Sequence, residues 1–325
     1  MLIGCSILAG FVLDMIFGDP HWLPHPVRWM GHAIALLEIR LRRLFPTTKN
    51  GERTAGAMLA IILPLCSWAL AVLLLWLCSL VGKWLVLVVQ SLLCYQVLAA
   101  KSLKVESMKV YHALRAGDIP GARYAVSMIV GRDTQSLDEK GIAKAAVETV
   151  AENTSDGVVA PLFYLMIGGA PLALAYKAVN TMDSMVGYKN ETYLNFGFVP
   201  ARLDDAVNFI PARLSALLMV LSAFLLRMDG RGAWRIFRRD RFCHASPNSA
   251  QTEAVCAGAL GLQLAGDASY FGKPVHKPTI GDALREIEPE DIRRANRLMI
   301  ATAILTLLFC LAVRFSVCLM LQGGF

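Results

Sequence analysis

Glu148, Glu152 and Asp156 recur at intervals of four residues, with Asn153 and Ser155 beside them. On a helix that spacing sets three carboxylates in a line. Like charges so placed repel unless a cation compensates them, and a divalent metal or a cationic substrate would do so. A solvated acidic face would show the same spacing. Here, however, Ala145, Ala146, Val147, Val150 and Ala151 give the acids apolar company. A denser set follows between Tyr176 and Lys189, with Lys177, Asn180, Thr181, Asp183, Ser184, Tyr188 and Lys189. In helical register Lys177, Asn180, Thr181 and Ser184 share one side, and Asp183 adjoins it. A cation, an amide, two hydroxyls and a carboxylate suit a phosphate with its Mg²⁺. Lysine would act as a point charge, Asp183 as a metal ligand and Ser184 as a donor or ligand.

Three further groups could extend these sets. Arg202, Asp204, Asp205, Asn208 and Arg213 lie close together in the chain. Asp204 and Asn208 are one turn apart. Adjacent Asp204 and Asp205 point about 100° apart on a helix, so one can take a metal and the other an arginine. In Val130-Gly131-Arg132-Asp133-Thr134, Gly131 permits a backbone turn and Arg132 offers a planar donor fork to a phosphate or carboxylate. In Pro24-His25-Pro26-Val27-Arg28, the prolines stiffen the backbone around His25, and Arg28 is a candidate anion contact. Caps, surface ion pairs and a rigid turn are the bland counterparts of these three groups. Asp14, one turn before Gly18, is an acid in an apolar run and needs a partner.

The elements that carry these residues are set by hydropathy. The 325 residues are 56% hydrophobic with a mean hydropathy of +0.50. Only 18% are charged, against about 25% in soluble domains. Disorder and an ordinary soluble enzyme are both disfavoured. The run from Leu2 to Phe17 has no basic residues ahead of it and no small-x-small cleavage site, so it reads as a retained short membrane helix. Ala55 to Gly82 is long enough to span about 30 Å of hydrocarbon, and Trp84 to Ala100 follows as the second arm of a hairpin. Leu298 to Leu321 is another span, interrupted by Arg314, which should face protein or snorkel. The runs 158–176 and 212–226 are broken or short. The expected architecture is all-α: one polytopic membrane domain over 1–325, with four to six embedded helices and polar, cytoplasmic segments at 101–157 and 228–297. The second of these reads as a loop region.

The net charge of +7 comes from 32 Lys and Arg against 25 Asp and Glu. Basic residues gather at 40–53, 101–115, 227–241 and 293–297, which places those segments in the cytoplasm. The excess is thus a topology signal and predicts no nucleic-acid partner. The 158–176 and 212–226 runs must then both cross or both stay on one side. Crossing would put Lys177 to Pro211 outside, away from cytoplasmic nucleotides, so neither is expected to cross fully. No C-x-x-C pair occurs among the eight cysteines, and the six histidines lack metal-ligand spacing. Phosphate-loop, dinucleotide, zincin and serine-hydrolase signatures are absent from the sequence.

Taken together the segments resemble the adenosylcobinamide-phosphate synthases of cobalamin biosynthesis. The matching segments are FGDP (17–20), HPVRWMG (25–31), VGRDT (130–134), ETVAENTSDGVVAPLFY (148–164) and GGAPLALAYKAVNTMDSMVGYKN (168–190). They continue through ARLDDAVNFIPARL (201–214), SPN (246–248), AGALG (257–261) and YFGKPVHKPTIGD (270–282). The string around 148–213 is the most specific. One departure is Ser249-Ala250-Gln251-Thr252, where many members carry a glycine and a tryptophan. The resemblance implies an enzyme of the bacterial inner membrane with its site facing the cytoplasm. It would join adenosylcobyric acid to aminopropanol phosphate with ATP and Mg²⁺, giving adenosylcobinamide phosphate. Membrane lipids surround such an enzyme, and other membrane enzymes of the late corrin pathway are candidate partners.

The residues fit that chemistry. A carboxylate needs activation before it forms an amide, and the phosphoryl charge must be held by cations. Lys177, Arg132, Arg202 and Arg213 are candidate phosphate clamps. Glu148, Glu152, Asp183 and Asp205 are candidate metal ligands or general bases, with Asp156 a further candidate ligand. Asp133, Asn153, Asn180, Tyr188, Lys189, Asp204, Asn208, His25 and Arg28 complete the expected substrate contacts. Two other classes use similar residues. A Mg²⁺-dependent phosphotransferase or prenyltransferase on a lipid phosphate would need a deep apolar groove beside Asn180 and Asp183. A transporter would carry inverted-repeat symmetry, and the sequence shows none.

Overall fold

The computed structural model describes residues 2–20, 22–270 and 272–322, so His21 and Phe271 lie outside it. Among the described residues, four helical stretches are long and apolar enough to cross a membrane, or five if one bent pair counts as a span. The architecture is all-α and polytopic. By internal contacts the chain forms two compact units.

The first unit comprises Met1–Leu98, Pro161–Asn208 and Phe309–Phe325. It begins with α1 (Leu2–Phe17), α2 (Pro26–Leu44), α3 (Lys49–Val81) and α4 (Lys83–Val97). The starts of α2 and α3 have local causes. His25 precedes α2, and its Nδ1 accepts from Val27 N–H at 3.3 Å while Pro26 occupies the first turn. Thr48 Oγ1 accepts from Gly51 N–H at 3.2 Å, so α3 starts at Lys49, ahead of its apolar run. Ile61, Leu65, Leu70, Trp76 and Leu80 of α3 are exposed, as a lipid-facing helix requires. Most of α8 (Ala160–Val186), all of α9 (Phe198–Val207) and the end of α13 (Glu290–Gln322) complete this unit. Helix α8 bends at Gly169, whose φ of +65° is strained for any residue with a Cβ. Pro171 withholds an amide at the same place.

The second unit comprises Ala99–Ala160 and Phe209–Leu308. It contains α5 (Ala100–Arg115), α6 (Ile119–Ser127), α7 (Glu139–Asn153) and a π-helical turn at Thr154–Val159. Then come α10 (Phe209–Leu225), α11 (Gly230–Asp240), α12 (Ser249–Leu260) and the start of α13. Two antiparallel ladders follow α12: β1 (Leu264–Ala265) with β4 (Thr279–Ile280), and β2 (Ala268–Tyr270) with β3 (Lys273–Val275). All twelve residues of α12 are buried. It is surrounded by Ile142, Ala146 and Val150 of α7, Met219 and Ala223 of α10, and Ile236 and Phe237 of α11, all in one apolar core. Helices α11 and α12 touch through backbone: a Cβ on Gly258 would lie 2.5 Å from the Gly232 carbonyl oxygen. Only glycine fits there.

Several expectations change. The 228–297 segment, expected as loop, holds two helices and four short strands. Glu139–Val186 is one 48-residue helical stretch, long enough to cross, with 67% of its most apolar window buried. Gly168 to Pro171 bends that stretch without ending it. Phe198–Val207 and Phe209–Leu225 reach crossing length only as a pair bent by 46°. The acid line at 148, 152 and 156 is also broken. The helix turns π-helical at Thr154, so Asp156 leaves the register that Glu148 and Glu152 share.

Candidate functional site

In the second unit α7 delivers Glu148, Thr149, Glu152 and Asn153 to one cavity of about 130 Å³. Arg132 enters from the loop after α6, and His244 from the loop after α11. Glu253 of α12, Tyr270 of β2 and Lys277 complete the polar lining. Arg132 pairs with Glu148 Oε2, and the Ala265 amide donates to Glu148 Oε1 at 2.6 Å. The Ser249 hydroxyl donates to Glu152 Oε1 at 2.7 Å. Lys277 Nζ donates to the Tyr270 hydroxyl at 2.5 Å and lies 4.5 Å from that ring's centre. Glu253 is 5% exposed. Alone of the three carboxylates it has no hydrogen bond or ion pair among the described residues.

The electrostatics follow from that arrangement. Burial pushes the Glu253 carboxyl well above the usual carboxylate range, and Glu152 and Glu148 push the same way. Arg132 and Lys277 oppose the shift without cancelling it. Burial lowers the His244 imidazole below its ordinary value against the pull of Glu152, so it is neutral at pH 7. Burial alone would lower Arg132, but Glu148 outweighs it and holds the guanidinium charged. With Glu253 protonated, two carboxylates face two cations and the cavity is neutral. A cationic guest can be admitted if Glu253 gives up its proton.

Asp133 does not line the cavity. Its N–H donates to Ser269 O at 2.9 Å, and its Oδ2 accepts from Gly272 N–H at 2.8 Å. It therefore fastens the β2–β3 hairpin, which carries Tyr270, to the Arg132 loop. Arg213 binds Asn248 Oδ1 at 3.2 Å and Phe209 O at 2.7 Å, with its guanidinium 3.5 Å over the Phe209 ring. Asp156 sits in the π turn and does not line the cavity either.

The remaining expected residues belong to the first unit. Lys177, Asn180, Asp183 and Ser184 lie on α8, and Tyr188 and Lys189 follow its end. Lys177 Nζ donates to Asn180 Oδ1 at 3.4 Å. Asp204 of α9 is 8% exposed and accepts from Asn208 Nδ2 at 3.0 Å. The Tyr176 hydroxyl in turn donates to Asn208 Oδ1 at 2.9 Å. Asp204 Oδ1 is buried with no donor within bonding distance, although the Asn180 amide, Asp183 and Asp205 all act on it electrostatically. Asp205 turns instead toward Arg202, 3.9 Å away. His25 Nε2 meets Asp19 at 3.0 Å, and Arg28 donates to Leu23 O, so this pair braces the turn into α2. Among the described residues, no three His, Cys, Asp or Glu side chains converge as a metal site. Asp156 belongs to a different unit from Asp183 and Asp205.

Sequence reasoning missed Glu253, His244, Tyr270 and Lys277. A usable signal existed for the first: Glu253 is the only acid between Asn248 and Gly266, in a run of small residues. A charge in such a run has no reason to be there for packing.

Residues 7–299 match the family model described as CobD/Cbib protein. The "Cobalamin biosynthesis protein CobD" of Geobacter metallireducens is 54% identical over 296 residues, covering 91% of this chain and 92% of the relative. That of Clostridium perfringens is 47% identical over 309 residues, covering 95% and 97%. The "Cobalamin biosynthesis protein CbiB" of Salmonella typhimurium is 47% identical over 312 residues, covering 95% and 98%. No solved structure matches the chain. Similarity of this extent, running through both units and every constellation described above, shows that the chain belongs to the CobD/Cbib family.

Proposed function

We propose that this protein works in cobalamin biosynthesis as an amide-forming synthase. It joins a propionate carboxyl of adenosylcobyric acid to the amine of aminopropanol phosphate at the expense of ATP, with Mg²⁺. Its relatives' names support the pathway. The reaction itself rests on the resemblance and on the chemistry of the cavity. At neutral pH the amine arrives as an ammonium and attacks only after losing a proton. The observation that carries the reading is Glu253: a buried, unpaired carboxyl in a cavity where Arg132 and Lys277 offset Glu148 and Glu152. Its raised affinity for protons suits a general base at neutral pH. Arg132 and Lys277 are the cations available for phosphoryl oxygens in the same cavity.

ATP phosphates and Mg²⁺ suit the donors of the first unit. Mg²⁺ takes one or two carboxylates and completes its shell with water and phosphate oxygens. The buried Asp204 oxygen without a donor and the nearby Asp183 carboxylate fit that pattern. Bound there, the ion would neutralise phosphate charge, while Lys177 and Asn180 orient the nucleotide. The basic residues at 40–53, 101–115 and 227–241 support a site facing the cytoplasm in the inner membrane.

The test is a coupling assay on the detergent-purified protein with adenosylcobyric acid, aminopropanol phosphate and MgATP, read by mass spectrometry. Adenosylcobinamide phosphate that forms, and fails to form without either ATP or Mg²⁺, is the expected result. A folded protein that makes no product from intact substrates overturns the reading.

A further inference from the structure

Gly4 and Leu8 of α1 face Leu311, Arg314, Phe315 and Val317 of α13 across a groove of about 420 Å³ in the first unit. The groove is a ligand-sized space with apolar walls. No acid lines it, and Arg314 has neither an ion pair nor a hydrogen bond among the described residues. Arg314 is also the only charged residue of α13 beyond Arg297. A guanidinium on a membrane helix is costly unless an anion or water meets it. Here no acid among the described residues meets it, while the protein does supply a lined slot beside the charge.

We infer that the groove binds an anionic phospholipid. One acyl chain lies along Gly4, Leu8 and Phe315, and the headgroup phosphate accepts from the Arg314 fork. The planar guanidinium matches a phosphate in a two-bond geometry, and the apolar walls match a chain. A second copy of the protein is the poorer occupant. Packing the same face against itself would bring two Arg314 guanidinium groups together with no acid between them.

Native mass spectrometry of the full chain in neutral detergent tests this directly. Dioleoyl phosphatidylglycerol and dioleoyl phosphatidylcholine are titrated separately. Phosphatidylglycerol should reach half occupancy at a concentration at least tenfold lower. Arg314→Gln should erase that preference and leave the unfolding temperature within a few degrees of wild type. Gly4→Leu keeps the charge and fills the slot, because a Cβ at Gly4 meets only Leu311, at 3.9 Å. It should weaken both lipids. Equal binding of the two lipids by wild type overturns the inference. So does a preference that survives Arg314→Gln, or tight binding that survives Gly4→Leu. A lipid-independent dimer that both variants dissociate would instead make the groove a contact between copies.

Discussion

The acids of the second unit and those of the first are buried in opposite company. Glu148 and Glu152 share their cavity with Arg132 and Lys277, and a backbone amide and a hydroxyl satisfy what the cations do not. Asp204 has only amides and a tyrosine relay behind it, and its charged neighbours are other carboxylates. With Glu253 protonated the charges of one region balance, whereas the charged groups that act on Asp204 in the other are both acids. Neutral sites with an unpaired acid suit a guest that exchanges a proton. Acidic sites backed by neutral donors suit a guest that brings positive charge. On the proposed function, an amine and a metal-bound phosphate would draw on different ligands.

The comparison breaks most visibly at Glu253. Glu253→Gln keeps the volume and should lower turnover by about 10²–10⁴-fold, the range for loss of a general base. A product assay on folded variant checks it, and near-normal turnover removes Glu253 from the chemistry. Next is Arg132→Gln, which strands Glu148 in the cavity. Losing one partner of a buried ion pair costs about 3–5 kcal/mol, so the midpoint of denaturant unfolding should fall clearly. In the first unit Asp204→Asn should raise the Mg²⁺ concentration needed for half-maximal activity about 10–100-fold, while Glu253→Gln should leave that concentration unmoved.

A smaller effect separates the regions by pH. A free glutamate titrates near pH 4.3, and folding holds Glu253 well above its ordinary value. Between those values the folded chain binds a proton that the unfolded chain lacks. Stability therefore declines as pH rises through that window. Glu253→Gln should flatten the decline, and unfolding midpoints between pH 5 and pH 8 measure it. Smallest is Arg202→Ala. Arg202 is 70% exposed and 3.9 Å from Asp205, so its removal should shift stability by less than about 1 kcal/mol.

Three of the four crossing-length stretches and the 148–152 pair could be read from the chain because each repeats a simple pattern. A long apolar run has few alternatives to a membrane helix, and an i, i+4 pair stays together while the helix is regular. The same reasoning failed at Asp156, where a π turn changes the count without a distinctive residue. It failed again at α12. Periodicity detects a helix through the contrast between two faces, and α12 is buried all round. The cavity's far wall comes from strands of two or three residues, too short to show alternation. Lys277 and Tyr270 therefore reach Glu253 by tertiary structure alone.

The complete burial of α12 gives the second unit an internal clock. Amide protons in a segment with no solvent face exchange with deuterium only when the surrounding core opens. Deuterium uptake along Ser249–Leu260 should thus report the opening of the whole unit, with the detergent-covered helices contributing nothing to the reading. Heating scans of membrane proteins often end in aggregation and yield no equilibrium value. Twelve residues packed around Gly258 offer a way to measure it without unfolding the bulk of the sample.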